Sequence, residues 1–180
     1  MSDSEILFGI YCPPHPQPLL SPEASDGYGK LRDAFETCRK RIEESEADLI
    51  LVYSTTWPSI IGHQIQGHPE PEWVHVDDDF HYLGSMPYKF KIDTEFAEKF
   101  RESAESRGLQ SRTVAYDGFP IDTGSIVALK LLNPDNRIPA CIVSSNMYAN
   151  RAETIVLGKS ARDAISAQSK NCLLYTSDAA

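Results

Sequence analysis

The chain has 180 residues, 41% hydrophobic and 24% charged, with 26 acidic against 17 basic side chains and a net charge of −9; at this size roughly 70% of the unfolded surface can be buried, so one globular domain with a real core is expected. The acidic balance suits phosphate backbones poorly and excludes nucleic acid as an expected partner. No apolar run approaches the ~20 residues that span a bilayer, and the acidic start Met1-Ser2-Asp3-Ser4-Glu5 lacks the positive region of a signal peptide.

The elements follow in chain order. Residues 5–11 are a short apolar run, expected as a buried strand. It stops at Cys12-Pro13-Pro14-His15-Pro16, where three prolines forbid a regular ladder and a loop begins. From Gly29 to Ala47, Leu31, Ala34, Phe35, Cys38 and Ile42 recur at spacings of three and four, one apolar helix face. Residues 49–54 are apolar enough for a strand buried on both sides. Residues 55–92 are rich in His, Pro, Gly, Trp and Asp and are expected to be a long irregular loop, a length that usually marks function. Asp93 or Thr94 caps a helix that Gly108 ends, and a strand runs from Arg112 to Tyr116. Asp117-Gly118-Phe119-Pro120 is a turn. Asp122 or Thr123 caps a helix through Leu132, Ile138 to Ser144 is a buried strand, and a last helix spans about Ala152 to Gln168 with Ile155, Val156, Ala161, Ala164 and Ile165 as inner positions. Strand, helix and strand in succession predict an α/β fold: a mainly parallel or mixed central sheet flanked by helices on both faces.

Cys12, Cys38, Cys141 and Cys172 form no C-x-x-C pair; without a secretion signal they are expected to be reduced, mostly buried thiols of a cytoplasmic protein. The five histidines are His15, His63, His68, His75 and His81. His15 and His63 each follow a strand end, and α/β proteins build sites at the carboxyl ends of their strands. Two neutral imidazoles meeting there could hold a divalent metal, and they would equally suit iron, zinc, manganese or cobalt. Their separation matches no local motif such as H-E-x-x-H; two loop histidines solvated or bonded to backbone are the plainer alternative. His68, His75 and His81 are expected to be solvated loop residues, and Asp77-Asp78-Asp79 a solvated acidic turn without the spacing of a calcium loop. There is no P-loop, G-x-S-x-G elbow or other glycine-rich phosphate signature.

Several segments together resemble the class III (LigB-type) extradiol ring-cleavage dioxygenases, most closely the alpha-type subunits of 2-aminophenol 1,6-dioxygenases. They are Pro14-His15-Pro16, residues 49–54 with Trp57, Gly62-His63, Val74-His75-Val76-Asp77, the Tyr116–Gly124 stretch, which is the most specific, and Ser144-Ser145-Asn146. The resemblance covers nearly all of residues 5–168. It implies Fe(II)- and O₂-dependent cleavage of a catechol or 2-aminophenol ring by the full-length parent. It also implies iron held by two His and one Glu with positions open for substrate and O₂, His15 and His63 as the two histidine ligands, and Thr123 and Asn146 at substrate-binding positions. Implied partners are a small aromatic substrate, O₂, and a beta-type subunit or further copies of the chain.

The match departs from the catalytic pattern. No residue matches the family's Glu ligand, and the family's acid/base His lies beyond the region covered. Catalytic subunits carry Tyr where this chain has Thr123. That substitution agrees with alpha-type subunits, which are non-catalytic and stabilise a catalytic beta-type partner; retention of His15 and His63 points the other way. Finally, Cys172–Ala180 looks like a translated sequencing adapter, so residues 1–171 are expected to be a single incomplete domain and 172–180 a non-native tail. A sheet cut there would expose an unpaired edge and apolar helix faces, and would hold at most two of the three implied ligands.

Overall fold

The computed structural model describes residues 4–177; the first three residues of the acidic start and Asp178–Ala180 of the expected tail lie outside them. The elements are β1 (Ile6–Cys12), α1 (Gln17–Leu20), a 3₁₀ turn, α2 (Asp26–Glu43), β2 (Leu49–Ser59), β3 (His63–Gln66), β4 (Glu72–His75), a second 3₁₀ turn, β5 (Met86–Lys89), α3 (Thr94–Ser106), β6 (Ser111–Val114), α4 (Thr123–Leu132), β7 (Ala140–Asn146), α5 (Arg151–Ala167) and β8 (Cys172–Ser177).

Six strands make one sheet in the order β1-β8-β2-β7-β3-β6, and β4 and β5 form a separate hairpin. β1, β8, β2 and β7 run parallel, β3 is antiparallel to β7, and β6 runs parallel to β3. The sheet is therefore mixed and mostly parallel, as expected from the strand–helix–strand succession. Alternation along the central strands feeds two cores. Ile50, Val52, Ile142, Leu173 and Tyr175 face Phe35 and Ile42 of α2 and the apolar side of α4. Leu49, Leu51, Cys141, Val143 and Cys172 face Phe96 and Phe100 of α3 and Leu157, Ala161 and Ile165 of α5.

Helix starts are chemically marked. Asp93 accepts from Phe96 N–H and Asp122 from Ser125 N–H, while Asn150 and Glu153 form a capping box on α5. α2 begins at Asp26, three residues earlier than expected, because Ser25 accepts from Tyr28 N–H and supplies the cap.

Two expectations about elements change. β1 is not buried on both faces: it is an edge strand of the sheet, and Cys12 is its one buried residue. Residues 55–92 are not an irregular loop: β2 continues to Ser59, and β3, β4 and β5 follow. β3 escaped notice because its residues are His63-Gln64-Ile65-Gln66, a mostly polar strand only some of whose polar groups are met by neighbours: Gln64 N–H donates to Ser144 Oγ at 2.8 Å and Gln66 Oε1 accepts from His68 N–H at 2.9 Å. Residues 172–177 form β8, between β1 and β2 in the sheet. Cys172 and Leu173 are fully buried, and Tyr175 nearly so. Among the described residues no helix is long and apolar enough to cross a membrane.

Candidate functional site

The carboxyl ends of β1, β2 and β7 lie along one edge of the molecule, and the chain turns there into the loops that carry most of the expected site residues. On one side stands the start of α4. Asp122, its N-cap, gathers hydroxyls: Ser54 Oγ donates to Asp122 Oδ1 at 2.8 Å, Thr56 Oγ1 to the same oxygen at 2.5 Å, and Ser125 Oγ to Oδ2 at 2.7 Å. The end of β2 is thereby tied to the start of α4. Gly124 packs in this corner: a Cβ there would come within 2.6 Å of Thr56 Oγ1 and 2.9 Å of the Pro14 side chain. The His15 loop, the end of β2 and the first turn of α4 therefore meet at one point.

His15 is exposed beside this corner, with the Phe80 ring edge-on at 5.9 Å between centroids. Thr123, 9% exposed, is the first residue of α4. Its hydroxyl donates to Asp77 Oδ2 and lies 2.9 Å from His75 Nε2. A hydroxyl has one proton to give, and Asp77 takes it. His75 must then be the donor, which fixes a proton on its Nε2. Asp77 Oδ1 also accepts from the N–H groups of Asp79 and Phe80, each at 3.0 Å.

His63 lies elsewhere. It opens β3, is 2% exposed, and stands two residues before Ile65, which belongs to the α3–α5 core; period-two alternation puts both on that face. Burial pushes its imidazole below the ordinary value, opposed by a hydrogen bond with the Ser144 backbone and by the charge of Glu153 on α5. Its Nδ1 is buried without a hydrogen-bond partner among the described residues. β1 and β3 are the first and fifth strands of the sheet. The structure thus brings Thr123 to the His15 corner and leaves His63 on the opposite face. Asn146, at the end of β7, sits on the His63 side of the sheet order and accepts from Tyr148 N–H at 3.1 Å, closing a turn.

His15 is exposed beside the start of α4 and His63 is enclosed on the α5 side. Among the described residues no three His, Cys, Asp or Glu side chains gather around a common point.

His75 and Asp77 are corrections to the expectation of a solvated histidine and a solvated acidic turn. Both are half-buried and engaged with α4, whereas Asp78 and Asp79 are exposed as expected. The sequence signals were the Val74-His75-Val76-Asp77 segment itself and the spacing of Asp77 and Asp79, which suits a side chain bonding its own backbone two residues on. Nothing local pointed to Thr123 as their common partner, 46 and 48 positions away. His68 and His81 are tied as well: His68 Nε2 lies 3.0 Å from Asp117 Oδ1, and His81 Nδ1 lies 3.2 Å from the Asp78 carbonyl oxygen.

Comparison with known proteins places this architecture. Residues 9–177 match the family described as the catalytic LigB subunit of aromatic ring-opening dioxygenase. The chain is 30% identical over 166 residues to the 2-aminophenol 1,6-dioxygenase alpha subunit of a Pseudomonas species, covering 92% of this chain and 61% of that protein. It is 31% identical over 193 residues to the beta subunit of the same enzyme name, again from a Pseudomonas species, covering 99% of this chain and 63% of that one. The chain thus spans a little over six-tenths of the length of these curated relatives. Among solved structures, the uncharacterized protein JW3007 of Escherichia coli K12 shares the fold, with a TM-score of 0.58 at 16% identity over 82% of this chain and 52% of that one. With the match running from β1 through β8, the chain belongs to the LigB-type extradiol dioxygenase family.

Proposed function

We propose that this chain serves the extradiol cleavage of a catechol or 2-aminophenol ring, a reaction that consumes O₂ and depends on Fe(II) in the complete enzyme. The observation that carries this reading is the family match over residues 9–177, together with near-equal identity to both subunits of 2-aminophenol 1,6-dioxygenase. Fe(II) would supply a common point at which an electron-rich ring and O₂ meet. Of the two expected histidine ligands, His15 has the exposure this role needs; His63 supports it less, being enclosed on the other face.

That separation favours a second reading of the chain's part in the reaction: an alpha-type, non-catalytic subunit that stabilises a catalytic beta-type partner. Thr123 supports it too. The Thr123 hydroxyl already donates its proton to Asp77 and accepts from His75, so it has no proton to give a substrate. The cytoplasm fits either reading, since all four cysteines are free thiols, three of them buried.

The test is O₂ uptake by the full-length gene product, expressed anaerobically with Fe(II), with 2-aminophenol and with catechol. His15→Ala and His63→Ala are measured beside it. Uptake lost in both variants makes this chain the metal-binding subunit. Uptake that needs an added beta-type subunit and survives both substitutions makes it the supporting one. No uptake in any combination overturns the ring-cleavage reading.

Residues 172–180 we propose to be non-native, on the strength of their adapter-like string, against which stand a family match that runs to residue 177 and the place of residues 172–177 in the sheet. The slot between β1 and β2 accepts an apolar run, and Cys172-Leu173-Leu174-Tyr175 supplies one to both cores. Codons for Leu173-Leu174-Tyr175 in the organism's own gene would overturn this.

A further inference from the structure

The segment between β3 and α3 divides into a fixed half and a hung half. β5 is fixed: Met86, Tyr88 and Phe90 are in the α4-side core, Tyr88 OH accepts from Ile121 N–H at 3.1 Å, and Lys130 Nζ donates to the Pro87 carbonyl at 2.7 Å. β4 and the turn after it are different. Glu72, Trp73, Val74, Val76 and Tyr82 are all exposed, with Trp73 at 62% and Tyr82 at 69%, so apolar burial holds this half weakly. β4 itself is laddered to β5 along its length, with Glu72 and Lys89 joined at 2.9 Å; the turn after it is tied to the body at Thr123, which takes Asp77 beside His75, while the neighbouring Phe80 rests on His15.

We propose that residues 76–85 form a lid beside His15, hinged on the β4–β5 hairpin and latched by the hydroxyl of Thr123. Thr123 acts here as a positioning residue. It holds Asp77; Asp77, by accepting from Phe80 N–H, holds the Phe80 ring against His15. Removing the hydroxyl leaves a half-buried carboxylate and an imidazole without their shared partner, a loss concentrated on a segment with little apolar burial.

The proposal is tested by amide hydrogen exchange on the chain and its Thr123→Val and Thr123→Ser variants. Valine keeps the shape and removes the hydroxyl; serine keeps the hydroxyl. The expected result is exchange in residues 76–85 about ten-fold faster in T123V, one decade being the effect of ~1.4 kcal/mol, with β2, β7 and α5 unchanged and T123S close to the parent. Unchanged exchange in T123V overturns the latch. Acceleration spread equally over the lid and the central strands also overturns it, because Thr123 would then be supporting the whole domain. Exchange needs no turnover, so its outcome is independent of whether ring cleavage is found.

Discussion

The side chains at the strand ends show how much a residue's role depends on what faces it. His15 and His63 look alike in sequence, each in a loop after a strand, yet one is in solvent and the other is sealed against α5. Burial favours the neutral form of His63 and lowers its pKa in the fold. In the unfolded chain the ring protonates near pH 6.5. The unfolded state therefore takes up the proton first, and the stability contributed by neutral His63 is complete above about pH 6.5 and declines as pH falls from there toward its lowered native value. His63→Gln is expected to flatten the loss of stability in that window. Urea midpoints at pH 7.5 and 5.5 check this; an equal drop in parent and variant would assign the acid response to other groups. The cysteines follow the same logic. Burial pushes Cys12 and Cys172 up to about 12, so neither is a reactive thiolate, in keeping with the sequence expectation of inert thiols.

At the scale of elements, the helices were legible and the short strands were not. α3, α4 and α5 start within a residue of their expected positions because Asp93, Asp122 and Asn150 are capping residues that act locally. The inner face of α5 was read less well: Ile155 is 49% exposed, while Leu157 takes the core position. The entry into β3 rests on one glycine. Gly62 has φ +85°, and a Cβ there would fall on the Gln110 carbonyl oxygen, whose partner is His63 N–H at 2.9 Å. Gly62→Ala combines left-handed backbone strain with that clash and is expected to cost about 1–3 kcal/mol. Equilibrium denaturation measures it, and a cost below about 0.5 kcal/mol, the range of an ordinary surface change, would mean that the β3–β6 edge shifts to accommodate the methyl.

For the whole molecule, β8 is the strand on which both layers depend. Leu173 and Tyr175 belong to the α2–α4 core and Cys172 to the α3–α5 core, while the strand's backbone pairs with β1 on one side and β2 on the other. Leu173→Ala is expected to cost about 2–5 kcal/mol, as for other fully buried leucines, and to lower a single unfolding transition that reports both helix layers together. Two separated transitions, one per layer, would show that the cores are independent.

The sequence by itself determined the fold class, the principal helices, the buried central strands and the family, because these rest on periodicity, local caps and contiguous motifs such as Tyr116–Gly124. Only the tertiary structure decided which motif residues share a site. It reversed β3, and so carried His63 to the α5 face; it turned the end of β4 and the acidic segment after it back onto Thr123. The reason is physical: a side chain's face follows from strand direction and register, and those are set by partners far along the chain. Ile65 opposite Val143 and Asp77 beside Thr123 are such partners, and no local pattern in either segment encodes them.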